Sequence, residues 1–577
     1  MPGRSHMRTD ALLPTNTGPI ATACGDVAVC VGEGSGELQK SKGDFYQLAA
    51  MSEPDGSWFC LVGPPTAREP ALDPTRPTSE RRRRIARLAS ELSPQRGLSG
   101  LKLVDRVCVA LRWDARRGEL SVRRDHFGRV PLVHREEGRA STASTSVSTR
   151  PALITAWRAS DTPPPLWQDF LQGRDSRARA DFWPGVERVF PGEERRWRAG
   201  RWQSVFRPWD ERAKASASLR HTRTEEPDQA EHLLQRLVGV LQRHLAEPDP
   251  VFAMSGGIDS TTLVALRSER ERGVRTASMV SSRHPAFDER ARIDALVAHF
   301  HTEHRFVDIG SPTLWTPEQA DPGWPDLGPQ LLWDAPYTRH FLSALRTDAH
   351  SAIFGIGADQ LLLSLPVLHL EERARVANLS QLTTLMTQAS SSRDRLRLLA
   401  AKARLSPAIR RWRGGLVDRR PLLFEGWKWD LSMRALERFR RHSGLRFSFP
   451  FLDDDLWELG LTLSHRQRRW QGQAKGPLRR ALQERIPADL PQQGHHSIFN
   501  ELTAEGLLRL FGPEGPWGDV LLSANLPGPL LHGEAQRQTL QWLRDGAPWR
   551  PTAPATTARY LTSIAMWLHW SRHDARV

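Results

Sequence analysis

Six consecutive residues, Ser255-Gly256-Gly257-Ile258-Asp259-Ser260, have a composition suited to holding a pyrophosphate. They follow a short apolar run, Val251-Phe252-Ala253-Met254, that reads as a buried strand. A helical pattern with Leu263, Val264 and Leu266 at its apolar positions comes next. A strand, a glycine turn and a helix start make an anion cradle. Adjacent glycines let the backbone approach closely, their N–H groups point into the concavity, and the helix dipole adds partial positive charge. The hydroxyls of Ser255 and Ser260 can donate as well. Asp259 suits such a site only if a divalent cation lies between carboxylate and phosphates, which points to Mg²⁺-nucleotide chemistry. A Walker-type loop would need a lysine after its last glycine, and none is present. The competing reading is a chance match in a Ser/Gly-rich turn.

Two later segments extend the pattern. Ala352-Ile353-Phe354-Gly355-Ile356-Gly357-Ala358-Asp359-Gln360 repeats the order of apolar strand, glycines and carboxylate. Asp259 and Asp359 at neighbouring strand ends could share one Mg²⁺ bound to pyrophosphate, although Asp359 could equally be a helix N-cap. Lys475 precedes a helical stretch in a chain with seven lysines among its 81 Lys and Arg residues. A compact ammonium there could meet charge developing at an α-phosphate or tetrahedral centre; the alternative is an ordinary surface lysine. Just upstream, Arg446-Phe447-Ser448-Phe449-Pro450-Phe451-Leu452-Asp453 is an apolar turn ending in a carboxylate.

The elements that must position these groups follow from periodicity. Strand-like runs at 251–254, 276–281, 304–309 and 351–354 alternate with helical ones, among them 288–300. That alternation predicts a parallel sheet with ligand at the C-terminal ends of its strands. Residues 230–245 (AEHLLQRLVGVLQRHL) read as a helix leading into the first strand, and 210–228 as a polar linker. Residues 104–134 read as consecutive antiparallel strands, 64–79 and 141–165 as Pro- and Ser-rich loops, and 366–445 as an arginine-rich helical region. The C-terminal LTSIAMWLHWSRH reads as a Trp-bearing packing helix.

With 577 residues, the chain has room for two or three domains. A mean hydropathy of −0.50 and the absence of a long apolar run or signal-type N-terminus predict a cytoplasmic protein without membrane association. Cys24, Cys30, Cys60 and Cys108 lack metal-ligand spacing and read as buried thiols. The net charge of +15 would suit nucleic acid, but basic runs such as Arg81–Arg84 are short and accompany no nucleic-acid motif. Arginine spread over solvated faces explains the charge, and no nucleic-acid partner is expected.

SGGIDS resembles the PP-loop of enzymes that cleave ATP to AMP and pyrophosphate. SGGIDS, GADQ, FPFLD with Lys475 beyond it, and the last helix occur in the order seen in asparagine synthetase-like proteins. That family includes glutamine-dependent asparagine synthetases, β-lactam synthetases and lasso-peptide macrolactam cyclases. Asp105–His134, with an RDxxGxxPL pattern, and Phe182–Val186 with Phe190–Glu193 look like parts of the family's amidotransferase-type domain. The resemblance implies an α/β protein. Residues 1–210 would be a degenerate Ntn-hydrolase-like antiparallel β-sandwich, 211–228 a linker, and 229–577 a PP-loop domain of the adenine nucleotide α-hydrolase-like type with helical additions.

The resemblance also implies ATP and Mg²⁺ as cofactors, with Asp259 and Asp359 as metal ligands and Lys475 as the catalytic residue. Met254, Ser255, Gly256, Gly257, Asp259, Ser260, Met279, Phe354, Gly355 and Asp359 would line the nucleotide, Met254, Met279, Phe354 and Gly355 largely through backbone. Glutamine-using members carry a cysteine directly after the initiator Met. Here Pro2 stands there, and Cys24-Gly25 echoes that start only after 23 other residues, so glutamine hydrolysis is expected to be absent. The amine should then come with the substrate, and an intramolecular amine gains from proximity. The chain is most like a lasso-peptide cyclase acting on a precursor peptide, with a leader peptidase and a leader-binding protein as possible partners. A β-lactam synthetase would place a tyrosine shortly after Asp359, and Tyr46, Tyr337 and Tyr560 all lie elsewhere. His369, Glu371 and Glu372 are candidate bases by location only. An asparagine synthetase, a β-lactam synthetase and a non-catalytic peptide-binding scaffold remain as alternatives.

Overall fold

The computed structural model describes residues 108–137, 144–149, 178–206, 229–245, 250–282, 289–309, 335–362, 424–463, 467–471, 473–487 and 506–523, with short stretches within 9–63, at 166–171 and near 540–565. The predicted linker, the loop at 64–79, the candidate bases His369, Glu371 and Glu372, and most of the two predicted terminal helical regions lie outside these residues.

The first part of the chain forms two antiparallel sheets. Its strands are β1 (Thr9–Ala11), β2 (Ala21–Cys24), β3 (Val27–Gly32), β4 (Ser35–Ser41), β5 (Gln47–Ser52), β6 (Trp58–Gly63), β7 (Val109–Asp114), β8 (Glu119–Arg124), β9 (Val133–Glu137), β10 (Ser144–Ser148), β11 (Val186–Arg188), β12 (Glu194–Arg198) and β13 (Arg201–Phe206). One sheet runs β1-β4-β3-β10-β9-β11 and the other β13-β12-β8-β7-β6-β5-β2. Val147 of the first sheet packs with Trp58, Leu111, Trp113, Val122 and Trp197 of the second, so the sheets share an apolar core.

Two readings of this region need correction. β7 and β8 pair as expected around the turn at Gly118. β9, however, crosses to the other sheet and pairs with β10 and β11. The segment 141–165 is not simply a loop, because Ser144–Ser148 is an inner strand between β3 and β9. Its Thr and Val alternate with serines, which suits a pleated surface better than a turn.

The second part is a parallel sheet flanked by helices. In chain order these are α1 (Leu166–Leu171, still within the first part), α2 (Gln229–His244), β14 (Pro250–Ala253), α3 (Ile258–Ser268), β15 (Arg275–Val280), α4 (Arg290–Phe300), β16 (Glu303–Asp308), α5 (Ala335–Arg346), β17 (Ser351–Ile353), α6 (Ala358–Leu362), α7 (Trp427–Ser443), β18 (Arg446–Ser448) and α8 (Asp454–Thr462). The predicted alternation matches this arrangement to within a residue or two at most ends. Strand order is β16-β15-β14-β17-β18, all parallel. From β14 the chain moves outward to β15 and β16, then returns to β17 on the other side of β14. The C-terminal ends of β14 and β17 therefore flank the point where winding reverses, the usual position of a ligand crevice in such sheets. α2 packs Leu233, Leu237, Val240 and Leu241 into the core shared with Leu263, Val264 and Leu266 of α3.

α7 joins the two parts. Trp427 and Leu431 pack with Trp167, Phe170, Phe182 and Trp183, whereas Trp429 and Met433 enter the core of the parallel sheet. The Trp429 indole N–H donates to the Phe127 carbonyl at 2.6 Å. Between these apolar contacts lies a buried charge cluster. Asp430 sits 2.8 Å from Arg124 and from Arg434 and 3.9 Å from Arg188, and Arg434 also binds Asp181. Arg124 belongs to the RDxxGxxPL segment and donates to the carbonyls of Val130, Val189 and Gly128. That segment is thus part of the seam between the two halves. Among the described residues, no helix is long and apolar enough to cross a membrane.

Candidate active site

The loop after β14 turns on Gly256, whose φ of +69° lies in the left-handed region that glycine adopts freely. Ser255 and Ser260 brace it. The Ser255 N–H donates to Ser260 Oγ at 3.1 Å, the two hydroxyls lie 3.2 Å apart, and Ser260 Oγ donates to the Gly257 carbonyl at 3.3 Å. Asp259 occupies the first turn of α3, where the dipole favours a carboxylate. Ser260 through Leu266 are all buried, so α3 is held on every side and the loop has a fixed base.

The second loop, after β17, meets the first directly. A Cβ built on Gly355 would lie 2.9 Å from Asp259 Cβ and 3.0 Å from the Ser260 backbone nitrogen, closer than real side chains approach. Gly357, at φ +103°, faces Leu452 in the same way. These glycines allow Asp359 to start α6 beside Asp259. Asp359 is not an N-cap: it lies within the first turn of α6, with its side chain 55% exposed and directed at Lys475. Gly355→Ala is therefore expected to push the two loops apart. Overpacking of this kind costs about 1–3 kcal/mol of stability, and displacement of a reacting group by an ångström lowers rates by roughly 10²-fold. The initial rate of pyrophosphate release measures this, and a wild-type rate would show that the close approach is dispensable.

Lys475 completes the group. A short hairpin of β19 (Arg469–Trp470) and β20 (Gln473–Ala474) delivers it to the N-cap of α9 (Gly476–Gln483), with Lys475 itself left-handed at φ 61°, ψ 37°. Gly476 fixes the turn, its N–H donating to the Arg468 carbonyl at 2.6 Å. The Lys475 ammonium lies 2.7 Å from Asp259 Oδ2 and 2.6 Å from Asp359 Oδ1. Burial alone would lower its pKa, but Asp259 and then Asp359 outweigh that and raise it, so it is a cation at neutral pH. The surface-lysine reading does not describe this residue.

The two carboxylates converge on one cation, the Lys475 ammonium, within 2.7 Å of each. The donors are hard oxygens, as Mg²⁺ prefers, and among the described residues no third His, Cys, Asp or Glu joins them. Phosphate oxygens and water would fill the remaining positions, the usual arrangement for a nucleotide-bound Mg²⁺.

The apolar lining divides. Met279 stands on β15 and Phe354 directly after β17, the two strands flanking β14; both are half-buried, and Phe354 packs edge-on to Phe447 at 5.0 Å. Met254 lies just beyond the end of β14. Its side chain is buried in the core, its N–H donates to the Ala277 carbonyl at 2.8 Å, and its carbonyl accepts from Ser278 Oγ. As the last residue still bonded into the sheet, it supports the loop from behind. Asp453 is likewise structural, capping α8 through the Leu456 N–H and pairing with Arg243 at 2.6 Å.

Sequence reasoning missed Arg479, which lies one helical turn beyond Lys475 on α9. Burial lowers its pKa and Asp259 offsets this, while its Nε donates to the Ala474 carbonyl at 2.8 Å. Its spacing of four residues from Lys475 was the available signal.

No curated protein matches the chain. Residues 232–494 match the family model for asparagine synthase. The matched stretch contains the glycine loop, both aspartates and Lys475, so this part of the chain is similar to the asparagine synthase domain.

Proposed function

We propose that the protein is an ATP-dependent macrolactam synthetase of the lasso-peptide cyclase type. It would activate a carboxylate of a precursor peptide as its adenylate and close an amide ring onto the peptide's own amine. The observation that carries the ligase part is the Lys475 ammonium bridging Asp259 and Asp359 beside the Ser255–Ser260 loop. Asp259 and Asp359 would hold Mg²⁺, which supplies neutralisation of phosphate charge. Ser255, Gly256, Gly257 and Ser260 would hold the pyrophosphate. Met254, Met279, Phe354 and Gly355 would border the adenosine, largely through backbone.

A substrate Asp or Glu oxygen attacks the α-phosphorus, and the bond to pyrophosphate breaks. The amine nitrogen then attacks the acyl carbon, the bond from that carbon to the AMP oxygen breaks, AMP leaves, and the amine's proton passes to solvent. Lys475 stabilises the negative charge that builds up on the oxygens at either centre. Two of the four cysteines have described side chains. Cys60 and Cys108 are buried in the antiparallel part, and burial pushes both thiols up to about 12, so neither is a glutaminase-type thiolate. On this reading the antiparallel sheets are a degenerate amidotransferase-type domain, and a leader peptidase with a leader-binding protein would prepare the substrate.

The test is incubation with Mg²⁺-ATP and a trimmed precursor peptide encoded in an adjacent reading frame, read by mass spectrometry and by AMP and pyrophosphate release. Loss of one water from the peptide, absent in Asp259→Asn, is expected. Asparagine formed from aspartate and ammonium would instead assign an asparagine synthetase, and full ATP cleavage by Asp259→Asn would remove the metal role.

A further inference from the structure

Helix α4 starts beside the glycine loop, and its first turn follows the N-cap residue Glu289. It contains no acidic residue, yet Arg290 and Arg292 lie where the helix dipole already concentrates positive charge. Arg290 is accounted for, 3.6 Å from Asp308 and over the Phe306 ring at 5.8 Å. Arg292 is not. Its Nε and Nη1 are buried and make no hydrogen bond. Its side chain runs along the loop, because a Cβ built on Gly256 would lie 3.9 Å from Arg292 Cδ and 4.0 Å from Nε. Burial holds the guanidinium below its ordinary pKa, and Glu289 offsets only part of that. Buried, unpaired N–H donors on a charged group are costly, and an anion would relieve both the desolvation and the dipole conflict.

Resting on the reading of this loop as the nucleotide's phosphate cradle, we propose that Arg292 is a phosphate ligand that holds the pyrophosphate end of ATP. It would add a guanidinium from α4 to the backbone donors of the loop, on the part of the nucleotide that departs during carboxylate activation. The polyphosphate, not the nucleoside, is what this residue would recognise.

Titration calorimetry on the full chain tests the idea with three probes in the presence of Mg²⁺: ATP, inorganic pyrophosphate and AMP. Arg292→Gln is expected to weaken ATP and pyrophosphate binding about 10- to 100-fold, the range of charge-assisted hydrogen bonds, and to leave AMP binding unchanged. Arg292→Lys, which keeps the charge and most of the stem, should bind pyrophosphate within several-fold of wild type. Equal loss for all three probes, or none, overturns the proposal while leaving the nucleotide site intact. A wild-type protein that binds neither ATP nor pyrophosphate overturns the underlying reading, and the proposal with it.

Discussion

Lys475→Ala is expected to lower turnover by about 10²–10³-fold, equivalent to ~3–4 kcal/mol of transition-state stabilisation, with Mg²⁺-ATP binding retained. The ammonium lies within 2.7 Å of both carboxylates, on a backbone held by the hairpin before it and Gly476 after it. Its removal leaves Asp259 and Asp359 facing each other with no cation between, which favours a divalent ion and leaves the nucleotide's other contacts in place. Charge developing on the reacting oxygens loses its counterpart. Lys475→Arg should not restore the rate, because a planar guanidinium is wider and holds its charge farther from a given oxygen. Single-turnover rates of AMP formation, set beside nucleotide affinity, separate these effects. An unaltered rate in Lys475→Ala would remove the residue from the chemistry.

Asp430→Ala carries the largest expected loss of stability. Asp430 lies among Arg124, Arg188 and Arg434 and, like them, is buried. Burial alone would raise its pKa, but the three guanidiniums, Arg434 foremost, hold it far below the ordinary carboxylate range. Replacing it leaves three buried cations to share Asp181, and breaking such a pair costs about 3–5 kcal/mol. The sign with pH follows. A depressed folded-state pKa gives stabilisation that is fully present above the unfolded value of roughly 4 and is lost as pH falls through the folded one. The gap between wild type and variant should therefore be constant from pH 6 to 8 and shrink only in strong acid. Denaturant midpoints at several pH values measure it, and equal midpoints at neutral pH would show that the cluster contributes nothing net.

The glycine loop, both aspartates and Lys475 were legible because their chemistry is local: each sits in a short segment whose residue types have few other uses. The parallel sheet was legible from alternation. Ser144–Ser148 was not, since serine and threonine serve turns as readily as strands, and only pairing with β3 and β9 decides between them. The crossing of β9 between sheets left no mark in a period-2 pattern, which reports faces and not partners. Arg292 carried no motif at all, and its place over Gly256 depends on which face of α4 meets the loop.

The charged seam along α7 also bears on how the molecule can move. Opening the two halves like a clamshell would pull Arg434 from Asp181 and Arg124 from Asp430, and would break the Trp429–Phe127 hydrogen bond. Each separation would have to hydrate groups that now have almost no contact with solvent. A hinge across this boundary would expose all of these groups at once, so relative rotation of the two halves is strongly disfavoured.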